Sequence, residues 1–252
     1  EPVHALSLGE SVLLARELPN LRALIETDPV LAKRTLSVVQ GHPKLIELAD
    51  GLAADPGNLA ERLDDTDETW HVRGTSLEQF LHSGESAASD EDFFAVLVGW
   101  TRATVSTLPE EAVALLRFLC CIEENDRLRR IVQFVWPHLW ERLERIGLPA
   151  DFGSTMKPLI GQALIDERTD QYRIHPAVAE AVRVAVSTEF RDAVDHEMVR
   201  YWASVYTQAI EKEQAGTLSE LIKHATQSGA PYFLRQREWQ ALANSIQQVF
   251  SR

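Results

Sequence analysis

The sequence predicts a mainly α-helical chain: a small helical bundle, then a winged-helix domain with a short β-wing, then helical-repeat-like helices. Three observations predict it. Apolar residues recur at helical spacing along most of the chain, between start signals such as Asp28-Pro29 and stop signals such as Gly41. Asp166 to Arg183 breaks that pattern, with a polar start, the short alternating run Gln171-Tyr172-Arg173-Ile174, and a helix opened by His175-Pro176. Residues 189–252 return to amphipathic helices joined by short loops, as stacked helical repeats do.

The first helix is predicted over Leu6 to Leu18. Ser7 and Glu10 have capping-box spacing, Val12, Leu13, Leu14 and Leu18 supply an apolar face, and Pro19 ends it. Leu21, Leu24 and Ile25 predict a short second helix. Asp28-Pro29 caps a third, which stops at Gly41, and His42-Pro43 opens a fourth that carries Leu45, Ile46, Leu48, Ala49 and Leu52. Asp55-Pro56-Gly57 is a turn before a last piece of helix from Asn58 to Leu63. Residues 1–65 thus read as one compact helical subdomain. Residues 66–91 are rich in Asp, Glu, Ser and Thr and read as a polar linker, in which Leu77, Phe80 and Leu81 mark a short helix.

The winged-helix domain is predicted over residues 92–188. Asp92 to Thr104 is a strongly apolar helix, and Leu108-Pro109-Glu110-Glu111 starts the next. Arg127 to Phe134 and Trp136 to Arg145 follow as two further helices. Gly147 to Gly153 reads as loop, and Met156 to Ile165 as a short helix running into a strand. Helix, strand, polar turn, strand is how a winged helix ends. The helix from Ala177 is predicted to run to about Phe190 or to restart there. Residues 189–252 then give a long helix over Glu189 to Lys212, a helix over Leu218 to Gln227, and a last one over Tyr232 to Phe250 with Trp239, Leu242, Ile246, Val249 and Phe250 on one face.

Composition excludes several classes. The formal net charge of −13 over 252 residues disfavours nucleic acid and anionic membrane as non-specific partners. No apolar run approaches the length of a membrane span. The two cysteines, Cys120 and Cys121, are adjacent on an apolar helical stretch, and read as buried thiols of a reducing compartment such as the cytoplasm. Glu1-Pro2-Val3-His4 has neither an initiator Met nor a signal pattern, so the chain reads as cut from a longer one. No phosphate-binding Gly-x-x-x-x-Gly-Lys-Ser/Thr, no metal-ligand Cys/His spacing and no Gly-x-Ser-x-Gly elbow is present. These residues by themselves therefore read as a non-enzyme, with no catalytic or metal site and no cofactor of their own.

His42 and His175 stand out by position among eight histidines. Gly41-His42-Pro43 needs nothing more than a helix stop, a turn and a proline-started helix. A sharper reading has the His42-Pro43 pair present a flat, rigid surface to a planar ligand. His175 is either a partly buried cap of the helix that follows, or a group aimed at an anion near that helix N-terminus. Trp100, Trp136, Trp140 and Trp202 read as core. A DNA-reading winged helix would present Ser154 to Gln162 to the groove. That stretch holds one cation, Lys157, and residues 106–188 hold ten Lys/Arg against twelve Asp/Glu.

Taken in order, Leu6-Ser7-Leu8-Gly9-Glu10, then Gln40-Gly41-His42-Pro43-Lys44-Leu45, then Tyr172-Arg173-Ile174-His175-Pro176 resemble the C-terminal half of STAND-type, NB-ARC-like signalling ATPases. The likeness is to bacterial members with tetratricopeptide-like sensors above all. It implies an ARC-like helical subdomain at 1–65, a winged helix at 92–188 and the start of TPR-like helices at 189–252. In that family a Gly-x-Pro motif packs its proline on adenine, and Gly41-His42-Pro43 matches it. A Met-His-Asp-like motif places a histidine on the ADP β-phosphate, and Ile174-His175-Pro176 resembles it at the histidine. The resemblance therefore implies that His42, Pro43 and His175 face ADP or ATP, held with magnesium by a P-loop core that would lie before Glu1. The fragment would be regulatory. It would close over nucleotide held by that core, sense a protein partner through its C-terminal helices, and take part in assembly on activation. The other classes open to the sequence are an interaction scaffold without nucleotide and a winged-helix DNA regulator.

Overall fold

Proline placement sets the first four helices. The computed structural model describes residues 5–73, 77–145, 151–211 and 218–238, with 240, 243 and 246 beyond them. Helix α1, Leu8–Glu17, opens on Ser7, whose hydroxyl accepts from the Glu10 N–H while the Glu10 carboxylate accepts from the Ser7 N–H. Pro19 stops α1 and is the first residue of α2, Pro19–Thr27. Asp28 caps α3, Pro29–Val39, through the Leu31 N–H, and Pro43 begins α4, Pro43–Ala53. In each case the proline occupies a first-turn position where its missing N–H costs nothing.

Helix α5, Pro56–Arg73, is longer than expected and runs into the stretch whose composition suggests a linker. Its acidic residues hide a buried stripe at helical spacing, Leu59, Leu63, Thr66 and Trp70. Trp70 donates its indole N–H to the Val38 carbonyl, and Trp100 donates to the Thr66 hydroxyl. Helix α6, Leu77–Ser83, follows, then α7, Asp90–Ser106, opened by a second capping box between Ser89 and Asp92.

Helix α8, Glu110–Cys121, leads through a 3₁₀ turn at Glu124–Asp126 into α9, Arg129–Arg142. Two helices were expected here, broken before Trp136; α9 is continuous across Pro137. A proline inside a helix costs about 3 kcal/mol. Ile131, Val132, Val135 and Trp136 before it and Leu139 and Trp140 after it are all buried. At roughly 1.5–3 kcal/mol for each large apolar side chain, their burial outweighs the break.

Helix α10, Phe152–Gly161, starts earlier than expected, because the Asp151 carboxylate accepts the Ser154 N–H and serves as its cap. Strands β1, Asp166–Arg168, and β2, Gln171–Arg173, form a two-stranded hairpin, and Gln171 makes an isolated antiparallel bridge to Leu128. Helix α11, Pro176–Val184, stops short of Phe190, and α12, Thr188–Glu211, starts afresh. Helix α13, Leu218–Arg235, passes through Pro231 where a break between Gln227 and Tyr232 was expected. The predicted apolar face of a last helix, from Trp239 to Phe250, lies outside the described residues apart from Ile246.

The chain forms two units. One gathers residues 1–109, 156–166 and 174–182, the other residues 110–155, 167–173 and 183–252. In the first, α2 packs on α1, α3 and α4, and α5 packs on α3, α4 and α7. In the second, α12 packs on α8, α9 and α13, over a core with Phe118, Trp136, Met198, Trp202 and Tyr232 buried. Among the described residues no helix is long and apolar enough to cross a membrane, and no group of three His, Cys, Asp or Glu side chains could hold a metal ion.

Candidate functional site

The turn before α4 is held in one conformation from two sides. Gln40 and Gly41 both take positive φ, 46° and 77°. Gly41 is required there twice over: its backbone is left-handed, and a Cβ would lie 2.0 Å from the Leu6 carbonyl oxygen. The Leu6 N–H donates to the Gly41 carbonyl at 2.8 Å, so the strand of chain before α1 locks the turn. His42 is then extended, with φ −73° and ψ 115°, as a residue before proline prefers. Its side chain makes no capping bond to α4 and folds inward, leaving 8% of the residue exposed.

The second histidine arrives from far along the sequence. His175 precedes α11, and its Nδ1 accepts the Ala177 N–H at 3.3 Å. In the neutral ring, that acceptor role places the proton on Nε2, which is then a donor. The two imidazoles meet edge to face with centroids 6.0 Å apart, and Phe93 of α7 lies 4.9 Å from the His42 ring on a tilted plane. Pro43 sits half-buried beside them as the first residue of α4. The three residues singled out in the sequence therefore belong to one unit, with His42 and His175 in ring contact.

Around them lie groups that the sequence did not mark. Lys44 is 4% exposed, bonds the Glu47 carboxylate at 2.7 Å and lies 3.8 Å from Asp166. A lysine on an otherwise apolar helix face, one residue after Pro43, was the available signal. Gln40 accepts the Ser86 hydroxyl through Oε1, while its Nε2 is buried without a partner among the described residues. The His42 Nδ1 is likewise buried and unpartnered.

Electrostatics keep both rings neutral. Burial, then the nearby His175, pushes His42 down to about 4, and burial, then the Lys44 charge, pushes His175 below its ordinary value. The cluster thus groups two neutral imidazoles with Pro43 and the buried Phe93, while Lys44 is already matched by carboxylates. It does not itself supply the positive charge that a polyphosphate needs. Trp100, Trp136, Trp140 and Trp202 are all buried, as their helical spacing implied. Compared with known proteins, the chain matches no family model, no curated protein and no solved structure.

Proposed function

We propose that this chain is the regulatory part of a STAND-type nucleotide switch, without enzymatic activity of its own. It would pack against a nucleotide-binding core outside these 252 residues and couple ADP or ATP, with magnesium, to a sensor formed by its C-terminal helices. The observation that carries this reading is the contact of His42 with His175 at 6.0 Å. Each ring stands directly before a proline-opened helix, at the positions where the sequence resembles the family's adenine-stacking and phosphate-contacting motifs. The donor left at His175 Nε2 is the polar group such a ligand would use.

The order of elements supports the winged-helix part of the proposal. Helix α8, the bridge at Leu128, α9, α10, β1 and β2 follow the order helix, short strand, two helices and a two-stranded wing. In this reading α12 and α13 begin a TPR-like array that meets a protein partner, and the whole chain assembles on activation. The DNA-regulator alternative has less behind it, since Phe152–Gly161, the helix that would enter the groove, carries Lys157 as its one cation.

The test is nucleotide retention by the protein that joins this chain to its nucleotide-binding core. His175→Ala and His42→Ala are each expected to weaken ADP binding about tenfold, which corresponds to roughly 1.4 kcal/mol. Unchanged ADP affinity in both variants, with the fold intact by circular dichroism, would sink the proposal and leave the interaction scaffold as the better account.

A further inference from the structure

A second polar site lies entirely within the other unit. A cavity of about 390 Å³ opens at the C-terminal end of α8, lined among others by Cys120, Cys121, Glu123, Arg127, Arg191 and Arg235. That volume is in the range of small-molecule sites, roughly 300–1,000 Å³. Its charges are unevenly matched. Arg235 bonds both oxygens of Asp195 at 2.9 and 3.0 Å and also reaches Glu123 at 2.8 Å, so those two carboxylates share one cation. Arg127 and Arg191, by contrast, have no carboxylate at ion-pair distance among the described residues.

Arg127 is the telling group. It is 6% exposed, and its Nε–H is used on the Leu119 carbonyl at 2.9 Å, within the last turn of α8. Its terminal nitrogens have no hydrogen-bond partner among the described residues, although the side chain lines the cavity. A guanidinium taken out of water without a counter-ion is costly, and an anion brought into the cavity offsets that cost. Arg191 stands exposed at the rim and donates to the Arg183 carbonyl at 2.5 Å. The thiols add no competing negative charge, because burial pushes Cys120 up to about 12 and Cys121 up to about 11. Glu124 is the remaining acid at the cavity, and a ligand with one negative charge would face it at little net gain.

The geometry points to a binding site for a small dianion in this cavity, a phosphate ester or a dicarboxylate, held by the forks of Arg127 and Arg191. Planar guanidinium groups match both oxygen pairs equally well, so the ligand's chemistry is fixed at two adjacent anionic oxygens. This site is independent of the His42–His175 cluster and of the nucleotide proposal.

The experiment titrates the 252-residue chain with inorganic phosphate and, separately, with malonate, by calorimetry at constant ionic strength set by sodium chloride. Saturable one-to-one binding of either is expected, weakened about tenfold in Arg191→Gln, as loss of one charge-assisted contact implies. Arg191 is exposed, so that variant keeps its fold, whereas Arg127→Lys is the second variant and is read only if its circular dichroism matches the parent. Bound ligand should also slow alkylation of the half-buried Cys121 by iodoacetamide, which ties binding to this cavity. Binding of phosphate alone or of malonate alone supports the site and names its ligand class. No saturable binding of either, or binding that neither Arg191→Gln nor Cys121 labelling registers, overturns it.

Discussion

The two histidines make opposite demands on pH from those of a surface histidine. His42 is held down to about 4 by burial and by its neighbour His175, while in the unfolded chain it titrates near its ordinary value. Above about pH 6.5 both states are neutral and the group contributes no slope. Between about 6.5 and 4 the unfolded chain binds a proton that the folded chain refuses, so stability falls as pH falls through that window. The difference amounts to about 3 kcal/mol at most. In His42→Asn that slope should flatten, read as urea midpoints from pH 7 to pH 4 against the parent; parallel curves would mean that His42 titrates freely. A buried network in the other unit offers a counterpart that does not turn on a histidine. The Tyr232 hydroxyl donates to the Asp126 carboxylate at 2.6 Å and accepts the Glu123 N–H at 2.9 Å, with Tyr232 and Asp126 both buried. Tyr232→Phe removes both bonds and leaves polar atoms in the interior, so a loss of about 2 kcal/mol is expected by chemical denaturation at neutral pH.

At the scale of elements, the same local chemistry that starts helices was readable and the chemistry that sustains them was not. Ser7 with Glu10, Asp28 before Pro29, and Pro43 after Gly41 each act within four residues, and each marks its helix as expected. Pro137 and Pro231 act locally too, and they point the wrong way, because the burial that carries α9 and α13 through them comes from distant contacts. In α5, the acids between Leu59 and Trp70 obscured a buried stripe that only packing on α3, α4 and α7 reveals. The pairing of His42 with His175 has the same character: each residue was legible, and their contact was not. Gly51 shows how packing overrides propensity. It lies inside α4, where alanine would gain up to about 1 kcal/mol of helix propensity. A Cβ there would sit 2.8 Å from the Gln162 Cα and 3.0 Å from the Gly161 carbonyl oxygen. Both neighbours are backbone and neither can swing aside, so Gly51→Ala is expected to cost about 1–3 kcal/mol net. Thermal denaturation settles the sign: a raised midpoint would show that the two segments separate freely.

For the whole molecule, the path of the chain matters more than the count of helices. Composition divides the sequence into consecutive blocks, since charge and periodicity compare only neighbours along the chain. The contacts instead draw residues 156–166 and 174–182 back to residues 1–109, and the chain passes between units at 109/110, 155/156, 166/167, 173/174 and 182/183. The returning segments bring buried apolar residues, among them Leu159, Leu164, Ile174 and Val178, together with His175 itself. A polypeptide ending at residue 109 would lack these groups, leave Gly51 without its partner segment and leave Lys44 without Asp166. Four large side chains at roughly 1.5–3 kcal/mol each exceed about half of a typical domain's net stability. Residues 1–109 alone are therefore expected to keep helical far-ultraviolet circular dichroism while losing a cooperative thermal transition and binding a hydrophobic dye. Adding a peptide of residues 156–182 in trans should restore cooperativity in proportion to its concentration, as mass action requires for a ligand of the folded state. A sharp, peptide-independent transition in residues 1–109 would mean that the first unit is complete without the returning segments, and that the ring contact of His42 with His175 plays no part in holding it together.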